Sequence, residues 1–269
     1  MPAFVQTAKR LVRQAVEDNI TGEAAKVAYY AFLSLFPLIL TVFALTGLLG
    51  GDAAFRWIME QLRAALPPET AEYLGVFVQQ VTGQPRPGLL SFGVLGLLWA
   101  ASGIFAALAD GLNAMYNVRE TRGFVRKRLL ALGMLFVGSV LLIVAAASLV
   151  AGPELIELLG LGFAWNLLRW PLSFVPVVLL LWLLYYVLPA RDQSGCHRET
   201  FVGALLGTLL WLGVSALFRL YVTNFSSYAA TYGAVGAVMV LLLWLNLTAL
   251  AILSGGEVAA VLEQRERPT

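Results

Sequence analysis

The run LLALGMLFVGSVLLIVAAASLVA, from Leu129 to Ala151, carries no charge and no proline, and its length decides the fold. A helix rising about 1.5 Å per residue needs roughly 20 apolar residues to cross about 30 Å of hydrocarbon. The run is long enough. Its apolar residues are continuous, without the alternation that a barrel strand facing lipid on one side would show. Arg126, Lys127 and Arg128 stand directly before it and mark one membrane boundary. Five further runs read the same way: Ala28 to Leu49, Leu89 to Ala109, Trp170 to Leu188, Phe201 to Phe218, and Val235 to Leu253. The expected fold is therefore all-α, a polytopic membrane protein of six transmembrane helices. No linker-like shift in composition divides residues 1–269, which read as a single domain.

Composition agrees with that reading. The chain is 59% hydrophobic and 13% charged, where a soluble domain has nearer half apolar and a quarter charged residues. A net charge of +2 is too small for a nucleic-acid partner. One cysteine, Cys196, cannot close an internal disulfide, and one histidine, His197, cannot build a His-rich metal site. No metal and no cofactor are expected, and a nucleotide-binding GxxxxGK[ST] loop is missing. The segment from Met1 to Asp18 is polar and of mixed charge, unlike a cleavable signal peptide. Targeting then falls to the first spanning helix.

Lys and Arg fix the expected orientation, because short basic loops stay in the cytoplasm. One side holds Lys9, Arg10, Arg13, Lys26, Arg119, Arg122, Arg126, Lys127, Arg128, Arg191, Arg198, Arg265 and Arg267; the other holds Arg56, Arg63, Arg86 and Arg169. Both termini are accordingly expected in the cytoplasm. Two amphipathic segments accompany the spans. Residues 1–18 place Phe4, Ala8, Leu11, Val12 and Ala15 opposite Lys9, Arg10 and Arg13, the pattern of a helix lying on an anionic leaflet or of a solvated packing helix. Residues 52–82 read as an extracytoplasmic helical hairpin, broken at Pro67 and Pro68, that either covers the bundle mouth or floats in the outer headgroup layer.

Ionisable and polar groups inside the spans are the candidate pathway residues, since a charge near mid-bilayer costs about 2.5 to 3.5 kcal/mol on insertion scales. Asp110 and Asn113 share a face of the second span at i and i+3, Glu257 ends the sixth, and Lys26 opens the first at similar depth. Lys26 is expected to neutralise Asp110 or Glu257; the plainer alternative is that all of them tether helix ends at the headgroup boundary. Arg219, near the outer end of the fifth span, either snorkels to outer phosphates or meets an anionic headgroup inside. Asn246 should find a hydrogen-bond partner across helices. Gly103, Ala107 and Gly111, and Gly203 with Gly207, have helix-packing spacing. Such stripes join helices within one chain or between copies in a homo-oligomer. Pro37 and Pro176 each free a backbone carbonyl within a span.

AYYAFLSLFPLIL (Ala28 to Leu40), LWAASGIFAALADGLNAMYNV (Leu98 to Val118), FVGALLGTLLW (Phe201 to Trp211) and YGAVGAVMVLLLW, followed by GGEVAAVLE, together resemble the YihY/BrkB family over nearly the whole chain. The most specific pieces are Ser34, Phe36 and Pro37, then Leu112, Asn113 and Tyr116, then Tyr232, Gly233, Trp244 and Glu257. The resemblance implies a six-helix bacterial inner-membrane protein, with members linked to serum resistance or proposed to move lipids. It adds Ser34, Tyr116 and Tyr232 to the pathway candidates. An older label, ribonuclease BN, also attaches to the family, but one histidine and scattered acids do not suit a two-metal nuclease site. Relatives tend to follow the Gly-Ala-Glu with a polar residue, where this chain reads Val258.

The leading expectation is a transporter or flippase-like carrier of a lipid or other amphiphile. The alternative is a non-transporting membrane scaffold or envelope-assembly protein acting through copies or a partner. An enzyme is not expected, because Cys196 and His197 are neighbours in sequence rather than parts of a nucleophile, base and orienter set.

Overall fold

The computed structural model describes residues 10–11, 13–48, 87–150, 162–191, 197–224 and 226–266. The hairpin expected over 52–82 and residues 1–9 lie outside them. Six helices follow one another: α1 (Ile20–Leu48), α2 (Pro87–Met115), α3 (Phe124–Val150), α4 (Gly162–Val187), α5 (His197–Asn224) and α6 (Ser226–Glu266). Each contains a stretch long and apolar enough to cross a membrane, and the described residues contain no strand. The helices overrun the apolar runs at the basic end. Thus α1 begins at Ile20 rather than Ala28, and α6 continues past Leu253 to Glu266.

Two asparagines in the left-handed region set the helix boundaries there. Asn117 (φ 53°) ends α2. The Val118 N–H donates to the Asn113 carbonyl and the Asn117 N–H to the Ala114 carbonyl, both at 2.9 Å. This is the Schellman arrangement, and asparagine is the residue after glycine that best tolerates it. Asn19 (φ 50°) terminates a short helical segment over 13–17 and turns the chain into α1, whose first bonds run to the Asn19 carbonyl from Gly22 and Glu23. That turn folds the N-terminal segment back on the bundle. Arg10 and Gln14 both donate to Gln264 of α6 at 3.4 Å, and Ala15 packs on the core. The described part of this segment packs on the bundle, with Arg10, Arg13 and Val16 left exposed.

The helices pack in chain order around a ring, each against the next, and α6 closes it on α1 while also leaning inward onto α2 and α4. Glycines permit the closest approaches. A methyl group on Gly203 would lie 2.6 Å from the Gly255 carbonyl and from the Ala259 Cβ; one on Gly255 would meet the Gly207 Cα at 2.6 Å. Backbone is therefore against backbone where α5 meets α6. Gly103 faces the Tyr30 ring of α1, and Gly111 faces Leu253 of α6 and Glu23 of α1. The small-residue stripes thus join helices within the chain. Pro37 stays inside α1, where the Thr41 hydroxyl donates to its carbonyl at 2.7 Å and Gly96 of α2 leaves room for its ring.

Candidate functional site

Three polar constellations sit at the end of the ring that carries the basic loops. The first is an open groove of ≈ 490 Å³ between α1 and α2, lined by Ala25, Lys26, Tyr29, Tyr30, Ala106 and Asp110, among others. Small residues, Ala25 and Ala106 with Gly22, leave the space; the tyrosines furnish an apolar wall. Charge lines the groove at Lys26 and Asp110, which act on each other through charge but make their direct contacts elsewhere. Lys26 bonds Glu23 at 2.6 Å, one turn away, and Asp110 bonds Lys127 of α3 at 2.5 Å. The expected neutralisation by Lys26 therefore holds toward Asp110 only through charge across the groove, while its direct contact goes to Glu23, the neighbour three residues before it on its own helix.

The second constellation ties two interhelix connections together. Glu120, in the α2–α3 loop, takes a two-pronged contact from Arg122: Nε to Oε1 at 2.7 Å and Nη2 to Oε2 at 2.8 Å. The Arg122 backbone N–H adds a bond at 3.0 Å, and Nη2 also donates to the Leu188 carbonyl at the end of α4, at 2.6 Å. Asn113 bridges both sides. Its Nδ2 donates to Glu120 at 3.0 Å, while its Oδ1 accepts the Ala190 N–H at 2.7 Å. Charge-assisted, two-pronged contacts are the strong kind. The Arg122 guanidinium, helped by the Asn113 amide, holds the Glu120 carboxyl down at about 2 even though partial burial opposes ionisation.

Next along the chain, Arg191 forms a buried ion pair with Glu263 of α6. Its guanidinium also lies 4.2 Å from the centre of the Tyr116 ring and 3.4 Å from the Thr200 hydroxyl. Loops, α4, α5 and α6 are thereby fastened to one another.

The third constellation is a pair of carboxyl groups. Glu257 is 2% exposed on α6, and neither of its oxygens has a hydrogen-bond donor among the described residues. The Asp18 carboxyl faces it at hydrogen-bonding approach from the turn before α1. Burial pushes the Asp18 carboxyl above its ordinary range, the Glu257 contact works against that rise, and the charge of Glu17 adds to it.

The sequence candidates therefore separate. Lys26 and Asp110 line the groove; Asn113 and Tyr116 belong to the loop fastening; Glu257 sits in the carboxyl pair. Ser34 donates to the Ala31 carbonyl of its own helix at 2.7 Å. Asn246 is half-buried on α6, Arg219 is exposed on α5, and the Tyr232 side chain lies outside what the structure describes. Glu120, Arg122, Arg191 and Glu263 were missed as site residues. The arginines entered only as orientation charges, yet an acid two residues before Arg122 in a basic loop was a signal of a local pair. His197 opens α5 and stacks on Tyr186, with ring centres 5.0 Å apart.

A ring of six helices long and apolar enough to span a bilayer, fastened by charge at one end and carrying an open groove between α1 and α2, defines a multi-pass α-helical membrane protein. Residues 11–269 match the family described as Virulence factor BrkB, and the chain belongs to that bacterial family. It is 30% identical over 254 residues to the putative ribonuclease-like protein YfkH of Bacillus subtilis (strain 168), covering 91% of each chain. It is also 30% identical over 261 residues to a UPF0761 membrane protein of Aeromonas salmonicida (strain A449), covering 93% of this chain and 87% of the relative. No solved structure matches it.

Proposed function

We propose that this protein is an inner-membrane carrier that moves an amphiphile with a phosphate-bearing headgroup, with both termini in the cytoplasm. The observation that carries the reading is the α1–α2 groove, where an ammonium and a carboxylate stand beside an apolar, tyrosine-bearing wall. A lipid meets the same division at a membrane surface, with charge at the headgroup and hydrocarbon below it. Lys26 would receive the phosphate, exchanging its contact with Glu23, and Asp110 would receive an amine where the headgroup has one. Orientation follows from the basic loops. No enzymatic step is assigned to these residues. The nuclease wording in the name of YfkH is not carried over, because the single histidine here is stacked on Tyr186 of α4, with the tilted Trp182 ring beside it.

The scaffold alternative draws on the small-residue stripes, and those stripes face neighbouring helices of the same chain. Purified protein in liposomes with a fluorescent phospholipid tests the carrier reading. Wild type should equilibrate the lipid between leaflets faster than protein-free vesicles. Ala106→Trp, which fills the groove without altering charge, and Lys26→Ala combined with Asp110→Ala should each slow it by about tenfold or more, a barrier change of about 1.4 kcal/mol or more. Wild-type rates in both variants, or wild-type protein no faster than empty vesicles, would overturn the proposal.

A further inference from the structure

The Asp18–Glu257 pair is not part of the groove, and no role proposed above uses it. Its surroundings are unusual for two acids. Leu253, Ala260 and Val261, one turn away on α6, are buried, as are Ile20 and Ala24 of α1. Both Glu257 oxygens and the Asp18 Oδ2 lack a donor among the described residues. An ionised carboxylate in such a place needs a cation, and the cations described on the N-terminal segment, α1 and the α4–α5 connection make their contacts elsewhere. Arg13 bonds Glu17 at 2.8 Å, Lys26 bonds Glu23, Arg191 pairs with Glu263, and Arg10 reaches Gln264. The charged groups acting on the pair are Glu17, from the N-terminal segment, and the two carboxyls themselves. All carry the same sign. Two facing carboxylates with no cation between them repel strongly, whereas one proton between them supplies both the missing donor and the missing charge.

We propose that Asp18 and Glu257 form a proton-binding site, in which one exchangeable proton is held between the two carboxyls and latches the N-terminal segment to α6. One carboxylic acid O–H donates to the other group's carboxylate oxygen, leaving the pair with a single negative charge. Release of the proton leaves two carboxylates in an apolar joint, and their repulsion bears on the Asn19 turn that connects the segment to α1. Because α1 supplies Lys26 to the groove, the latch and the groove share a helix. The proton site itself stands independently of the carrier reading.

Infrared difference spectroscopy on the full-length protein in sodium-free nanodiscs tests this, with the proton as the probe. Between about pH 5 and about pH 9, wild type should show one protonated-carboxyl C=O band that shifts in heavy water and disappears as pH rises. Glu257→Gln and Asp18→Asn should each remove it, because an amide provides the donor and the remaining acid ionises. Thermal unfolding gives a second readout. A folded pair that keeps a proton which the unfolded chain releases loses stability as pH rises through the transition, and both variants should flatten that slope. If one variant fails to fold, the other and the wild-type band still decide. No titrating band in wild type, or a band that survives both substitutions, would overturn the proposal. So would stabilisation by added sodium in place of the proton, since that would make the pair a metal-cation site.

Discussion

The basic end of the ring and the half that faces away from it are built on opposite terms. At the basic end, the side chains of Leu112, Met115, Tyr185, Leu188 and Leu253 are fully enclosed, and Tyr185, Arg191 and Asp110 reach the Ile252 carbonyl, Glu263 and Lys127 on other helices. Farther along, large apolar side chains point outward: Phe136 on α3 is 63% exposed and Leu217 on α5 is 68% exposed. Lipid replaces protein as their surroundings. In hydrocarbon, Leu against Leu gains little over Leu against lipid, so close packing and polar contacts have to hold helices together. The contrast teaches that the enclosed, cross-helix contacts concentrate at one end, while exposed apolar side chains run the whole length of the outer surface, from Phe124 and Leu129 at the basic end to Phe136 and Leu217 beyond it.

Arg191→Ala should break that contrast hardest. It leaves Glu263 buried without its cation, a loss of about 3 to 5 kcal/mol, to be read as a large fall in the unfolding temperature in nanodiscs. Gly255→Ala comes next: the new methyl would meet Gly207 Cα at 2.6 Å and the Gly203 carbonyl at 2.8 Å. Backbone cannot give way cheaply, so about 1 to 3 kcal/mol should be lost, measured the same way.

Acid tests the loop fastening alone. With Glu120 held at about 2, its contribution is complete above the ordinary carboxylate range and is lost as pH falls toward 2. The full shift corresponds to about 3 kcal/mol, reduced in practice because the Glu120 side chain is 22% exposed. Glu120→Gln should reduce the acid sensitivity of unfolding between about pH 5 and about pH 2. The smallest effect belongs to the other half, where Leu217→Ala should change stability by no more than about 0.5 kcal/mol. A loss there as large as that of Gly255→Ala would erase the distinction between the two regions.

How far the sequence was readable follows the same division. Hydropathy alone located the six spans, because lipid imposes one requirement on every residue of a crossing helix. It placed their ends less well at both ends of the ring: Ile20 to Val27 and Ser254 to Glu266 at the basic end, and Gly162 to Arg169 and Ser226 to Ala234 at the other, are helical beyond the apolar runs. Asp110, Asn113 and Glu257 stood out as polar groups in spans, yet their fates were not legible. Asn113 bonds Ala190, far away in sequence, and Asp110 bonds Lys127 across a loop. Such pairings depend on which loop returns beside which helix. The partner of Glu257 was hidden for another reason. Asp18 looked like part of a surface helix, and only the turn at Asn19 brings it back to α6.

Asn113, with Arg122, joins the two connections at the basic end, and hydrogen exchange measured by mass spectrometry in nanodiscs probes that joint most directly. In wild type, the amides of Val118, Arg122 and Ala190, although in connecting segments, should exchange slowly, because each donates to the Asn113 carbonyl, Glu120 or the Asn113 side chain. Asn113→Ala should speed exchange in 116–123 and 188–191 together. Fast exchange of both segments in wild type, or release of one segment without the other, would contradict a joint shared by the two connections.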